Sequence, residues 1–188
     1  MFTLLIFTAA AGVAFGTGLA IAPCAFAQPE SPFVALVDAA AQRLQVAEPV
    51  AASKFQTGGL IEDPEREQRV LEAVARDAAS RQVDPSYVSA VFRDQIDATV
   101  AIQYTRLAQW KLDPASAPIT APDLSSSRAA IDELNQTMVS EMADVWDVLH
   151  SPMCAADLEA AKAVVVQARA LDPLYRQALD FATGNYCG

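Results

Sequence analysis

Basic side chains are in short supply: 13 lysines and arginines stand against 23 aspartates and glutamates, for a net charge of −10. That balance argues against nucleic acid or an anionic membrane as partner, since both demand a basic surface. A small anionic ligand is not excluded. It would need a local cluster of cations inside an acidic shell, so the informative Arg and Lys residues are those that interrupt apolar faces. Histidine occurs once and cysteine three times; with no HExxH and no cysteine cluster, no metal site is expected. GxSxG, P-loop and GxGxxG patterns are absent, which removes the common hydrolase, nucleotide and dinucleotide readings. No segment alternates β-branched and polar residues with a period of two, so strands are not expected.

Charge is missing altogether from residues 1–27, which include a long apolar run. The run could in principle span a bilayer, but it ends in Ala25-Phe26-Ala27, a small-x-small pattern suited to signal peptidase, followed by Gln28-Pro29-Glu30. We read 1–27 as a cleaved signal peptide and 28–188 as the mature domain, secreted or periplasmic and without membrane attachment once the signal is gone. Pro23 directly before Cys24 fits a lipoprotein cleavage site badly. The mature chain keeps Cys154 and Cys187, which in an oxidising compartment most simply form one disulfide. An oxidised sulfur cannot attack, which sets aside a nucleophilic pair between Cys154 and His150. At 188 residues including the signal, the chain has room for one domain and too little for two independent cores.

What the sequence does have is regular punctuation. Ser31-Pro32, Asp63-Pro64, Asp84-Pro85, Ser151-Pro152 and Asp172-Pro173 each supply an N-cap oxygen followed by a proline pre-set for the first helical position. A sixth start lies near Asp123, after the Pro/Ala/Ser-rich loop of residues 114–122. The expected fold is an all-α, single-domain bundle of about six helices. The first runs from Pro32, bent or interrupted at Pro49, to Gly58-Gly59; the second from Pro64 to about Arg81; the third from Pro85 to about Leu112. The fourth runs from about Leu124 to Leu149, and shorter ones begin at Pro152 and Pro173.

Several polar residues fall where apolar ones are expected. At about 100° per residue, Thr99 and Gln103 project into the stripe of Val88, Val91, Phe92, Ile96 and Ile102. Glu67 shares a face with Leu71, Val74 and Ala78, with Arg66 at its side, and a carboxylate there needs a donor. Arg43 flanks Phe33, Val37, Ala40 and Leu44, and Lys54 returns to nearly the same side about three turns later. Arg128 borders Ile131, Met138, Met142, Val145 and Leu149. Each cation alone reads as a snorkelling surface residue and each polar side chain as a satisfied core group. Together they point to an internal cationic pocket. Asn135-Gln136-Thr137 matches a glycosylation sequon but carries no argument by itself.

The ordered set Arg43, Lys54, Arg66-Glu67, Thr99 and Gln103 resembles the active-site pattern of the all-helical (type II) chorismate mutases. Arg128, the signal peptide and the late cysteine pair make it similar to their secreted subclass, known from mycobacteria. The resemblance covers essentially the whole mature chain. It implies a cofactor-independent rearrangement of chorismate to prephenate, in which catalysis rests on holding the folded conformer and stabilising charge on the breaking ether oxygen. By the same resemblance Arg43 and Arg128 would grip the two carboxylates, with Thr99 helping at one of them, and Arg66 would support the carboxylate end. Lys54 and Gln103 would donate to the ether oxygen, Glu67 would accept from the ring hydroxyl, and Asp63 would orient this group. Family resemblance also implies a homodimer. The rival is a non-catalytic helical binding or structural protein of the cell envelope. It shares the fold, but it requires Arg43, Lys54 and Arg128 to point to water.

Overall fold

The computed structural model describes residues 31–120 and 123–188, so the expected signal peptide and Cys24 lie outside the described residues. Within them the chain forms α1 (Val34–Gln45), α2 (Ala47–Thr57), α3 (Pro64–Ser80), α4 (Pro85–Leu112), a 3-10 turn (Pro114–Ser116), α5 (Leu124–Asp144), the single turn α6 (Trp146–Leu149), α7 (Cys154–Ala168) and α8 (Pro173–Ala182). No strand occurs among the described residues. The expected all-α bundle is what forms, with seven helices of ten residues or more in place of about six.

The Asp-Pro pairs act as expected. Asp63, Asp84 and Asp172 are N-caps, with Pro64, Pro85 and Pro173 in the first turn. Their carboxylates accept from the amides of Arg66, Ser86 and Tyr175 at 3.1, 2.8 and 3.0 Å, each cap contributing about 1 kcal/mol. The Ser-Pro pairs differ. The Ser31 and Ser151 hydroxyls accept from the amides of Phe33 and Met153, closing a tight turn first, and the helices begin only at Val34 and Cys154.

Two further boundaries correct the sequence reading. The interruption expected at Pro49 falls at Val46, between α1 and α2. Proline removes the bond from its own nitrogen and crowds the carbonyl four residues upstream, so the break appears near Gln45. Pro49 itself sits in the first turn of α2, where a missing N–H costs little. The fourth helix stops at Asp144, and the change of direction seats Trp146 edge-on against Tyr87, ring centroids 5.2 Å apart.

The 28-residue α4, about 42 Å long, is the spine: α2, α3 and α8 pack along it, while α1 packs against α5, α7 and α8. Ala39, Ala40 and Ala41 are buried on α1, so small side chains let several helices approach it. Phe33, Leu36, Phe92, Ile102, Met138, Met142 and Leu179 are fully buried in the core, each contributing roughly 1.5–3 kcal/mol. A smaller cluster of Ala51, Ala52 and Trp110, with Phe55 against Trp110, closes the far end of α4. No described helix is long and apolar enough to cross a membrane.

The expected disulfide joins Cys154, opening α7, to Cys187, beyond α8. It pins a tail whose Tyr186 is wholly buried and whose Tyr186 carbonyl accepts from the Tyr87 hydroxyl at 2.7 Å. Chain entropy for a separation of 33 residues corresponds to roughly 4 kcal/mol. Reducing the mature protein, or making Cys154→Ser with Cys187→Ser, is therefore expected to lower its guanidinium unfolding midpoint sharply; an unchanged midpoint would show that the buried tail holds itself.

Candidate functional site

Arg43, Lys54, Arg66, Glu67, Thr99, Gln103 and Arg128 all line one cavity, together with Asp63 and the apolar walls Val50, Ile61, Val70, Ile96, Val100, Leu124 and Ile131. The cavity encloses about 590 Å³ of empty space, partly open to solvent. Local chain chemistry favours the placement. Arg43 and Lys54 occupy the last turns of α1 and α2, where unpaired carbonyls favour cations, and Glu67 the first turn of α3, where free amides favour a carboxylate.

Arg43 is only 3% exposed. Its Nε donates to Asn135 Oδ1 at 2.8 Å, and its Nη1 to the Gln95 carbonyl and Thr99 Oγ1 at 3.3 and 3.2 Å. The guanidinium also lies 5.7 Å from the Phe92 ring centroid. Burial lowers its pKa to about 10; the field of Tyr186 opposes this and that of Arg66 adds to it. It remains a cation near neutrality. Thr99 gives its own hydroxyl hydrogen to the Gln95 carbonyl at 2.7 Å, so here it braces Arg43 and offers no spare donor. Arg43 Nη2 has no partner among the described residues.

Lys54 is half-buried and donates to the Ile61 carbonyl. Burial holds its pKa below the ordinary lysine value, with Asp63 opposing and Arg128 reinforcing the shift. Arg128 Nη2 donates to Asp63 Oδ2 at 3.0 Å, while Asp63 Oδ1 caps α3; one carboxylate thus fixes both a helix start and a cation. Arg66 Nη2 pairs with Asp132 on α5 at 2.5 Å, and Glu67 Oε2 accepts from Arg93 Nη1 at 3.0 Å. Gln103 is 4% exposed and its Oε1 is buried without a hydrogen-bond partner. Sequence reasoning did not single out Arg93, Asp132 or the partnership of Asn135 with Arg43.

The lining holds four cations, Arg43, Lys54, Arg66 and Arg128, against two carboxylates, Asp63 and Glu67. Two arginines on different helices can take two anionic groups of one small ligand. A lysine and a carboxamide can meet an oxygen that gains charge between them. No group of three or more His, Cys, Asp or Glu side chains among the described residues is placed to hold a metal. A larger groove of about 870 Å³ runs between α3 and α5 past Arg66, Arg69, Asp77, Arg81 and Asp132. Its arginines are already paired with Asp132, Glu65 and Asp77, which makes it the weaker candidate.

The sequence profile of the family described as chorismate mutase type II matches residues 34–104, the stretch that holds every lining cation but Arg128. The chain is 61% identical over 165 residues to the secreted chorismate mutase of Mycolicibacterium smegmatis, covering 88% of this chain and 91% of that one. It is 51% identical to the secreted chorismate mutase of Mycobacterium tuberculosis, covering 88% and 83%. Among solved structures, the chorismate mutase from Burkholderia phymatum superposes with a TM-score of 0.80 at 30% identity, over 85% of this chain and 98% of that one.

An unpaired buried amide oxygen costs about 1–3 kcal/mol. Gln103→Leu is therefore expected to keep or raise folding stability, by about 1 kcal/mol at most, in chemical denaturation of the unliganded protein. A clear fall would show that the amide oxygen is already satisfied by the fold.

Proposed function

We propose that this chain, which belongs to the chorismate mutase family, carries out its reaction in the cavity where Arg43, Lys54, Arg66, Glu67, Thr99, Gln103 and Arg128 meet. The chain is an isomerase that converts chorismate to prephenate, a rearrangement within one molecule. It is a secreted enzyme, like the relatives it matches by name; its uncharged segment ending at Ala25-Phe26-Ala27 supplies the export signal in this reading.

The roles follow from which hydrogens are spent and which remain. Arg43 meets one carboxylate through Nη2. Arg128 meets the other, and its pairing with Asp63 is half-exposed, an interaction of about 0–1 kcal/mol that a ligand can replace. Arg66 supports the carboxylate end of the substrate, and Thr99 acts indirectly, by bracing Arg43. Lys54 keeps two N–H bonds after serving the Ile61 carbonyl and, with Gln103, donates to the ether oxygen as that bond breaks. Glu67 has one oxygen held by Arg93 and accepts from the ring hydroxyl with the other. The substrate is thereby held folded, with its reacting ends adjacent, and charge building on the ether oxygen meets donors already in place. No step requires a cofactor or a covalent intermediate.

The observation that supports these roles is the convergence of Arg43, Lys54 and Arg128, from three helices, on a single cavity. A non-catalytic bundle has no need to aim buried and half-buried cations at one empty space. We further take the working unit to be a homodimer, on family resemblance. The named site residues all come from one chain.

Incubating the purified mature chain with chorismate and following its disappearance tests the reading directly. Lys54→Ala and Arg128→Ala are each expected to lower kcat/KM by about a hundredfold or more, the scale of losing one preorganised donor, with circular dichroism unchanged. Parental activity in either variant removes that residue from the site.

A pH dependence follows from Lys54. Its pKa in the folded, empty enzyme is lowered, so as pH rises the ammonium is lost earlier than from an ordinary lysine. The kcat/KM of the parent should therefore fall on the alkaline side with an apparent pKa below the free lysine value. A bound dianion favours the charged form, so the corresponding fall in kcat should lie at higher pH. Coincident limbs, or none below the ordinary lysine range, would mean that Lys54 does not act as a charged donor.

A further inference from the structure

The Asn135-Gln136-Thr137 sequon is not presented to a glycan. Asn135 lies on the buried face of α5, one turn from both Ile131 and Met138, and is 5% exposed. Its Oδ1 accepts from Arg43 Nε across the bundle at 2.8 Å, and Thr137 turns its hydroxyl to the Glu133 carbonyl. Arg43 Nη1 is meanwhile committed to Gln95 and Thr99 on α4. A guanidinium is planar and rigid, so fixing two of its nitrogens from opposite sides fixes the direction of the third.

We propose that Asn135 is a positioning residue: by holding Arg43 Nε it sets Nη2 as the nitrogen left for a substrate carboxylate. The inference rests on the reading of Arg43 as a carboxylate ligand. The acceptor's chemistry matters as well as its place. A neutral amide oxygen satisfies the buried N–H without cancelling the positive charge, whereas a carboxylate at the same position would pair with Arg43 and compete with the ligand. The nearby carboxylate on the same helix, Asp132, is occupied by Arg66. Without Asn135 the Nε–H is left buried and unpaired, and the guanidinium is held from α4 alone, free to pivot about Nη1.

The test is steady-state kinetics with chorismate on the mature chain and on Asn135→Ala, Asn135→Leu, Arg43→Ala and the Arg43→Ala/Asn135→Ala pair, each with its thermal melt. Leucine is close to asparagine in volume and has no acceptor, so it rescues a packing role and not a positioning one. Both single Asn135 variants are expected to lose about tenfold in kcat/KM, mostly through a higher KM. In the Arg43→Ala background the Asn135 substitution should cost nothing further, because a residue acting only through Arg43 has nothing left to position. A deep loss in Arg43→Ala beside a parental Asn135→Leu overturns the inference alone, as do additive losses in the double variant. Parental activity in Arg43→Ala overturns the reading of Arg43 as a substrate ligand, and the inference with it.

Discussion

A charge placed inside an apolar bundle is the constraint around which this structure is arranged. Arg43 is 3% exposed, and removing a guanidinium from water costs several kcal/mol unless its hydrogens find acceptors. Those acceptors come from two helices, Asn135 on α5 and the Gln95 carbonyl and Thr99 on α4, while α1 contributes its C-terminal carbonyl field. Helices α1, α4 and α5 therefore cannot slide past one another without stranding the cation. Fixing their relative register also fixes the space they enclose. Burial is offset but not cancelled: Arg43 stays charged, retains an unshared nitrogen, and has a lowered pKa that records its incomplete compensation.

The other charged groups of the site are held more loosely. Lys54 rests on a backbone carbonyl, Arg128 on the carboxylate that caps α3, Arg66 on Asp132 and Glu67 on Arg93. Each holds its side chain near the cavity at modest strength, because ion pairs with this much solvent contact contribute about 0–1 kcal/mol. A ligand that replaces such a partner gives up little, and the side chains are ordered before it arrives, which lowers the entropy lost on binding. The site thus pairs one rigid, buried cation with several exchangeable ones. In the proposed roles the rigid member orients the ligand and the exchangeable members are free to trade their partners for it.

Much of this was legible in the sequence because the fold is written in local signals. Asp-Pro dipeptides announce helix starts through a cap and a pre-set φ, and three of them landed where they were read. Thr99, Gln103 and Arg43 were conspicuous because a polar residue in an apolar stripe must have a partner. The misses also have physical causes. Pro49 marked a break that appeared three residues upstream, at Val46, since a proline crowds the carbonyl of residue i−4, here Gln45, rather than its own position. Asn135 satisfied the same criterion as Thr99, lying in the stripe of Ile131, Met138 and Met142, but it was noted only as part of a sequon that carries no argument by itself. Arg93 and Asp132 gave no signal at all. They are half-exposed charges on helix flanks, indistinguishable in sequence from solvated ones, and only the crossing of α3 with α4 and α5 gives them their partners.

An enzyme with a net charge of −10 that takes a dianion raises a question of range. Charges on the outer surface act through water and salt, and beyond a Debye length of about 8–10 Å they are largely screened. Inside the cavity the separations are shorter and the medium less polarisable, so each interaction is several times stronger. The sign that matters to a bound ligand is therefore that of the lining, four cations against two carboxylates, and not that of the whole molecule. Both of those carboxylates are also engaged, Asp63 by the α3 cap and Arg128, Glu67 by Arg93, which reduces the repulsion they present. The acidic exterior can serve solubility outside the cell because the geometry of α1, α2, α3 and α5 confines a cluster of four cations to the cavity.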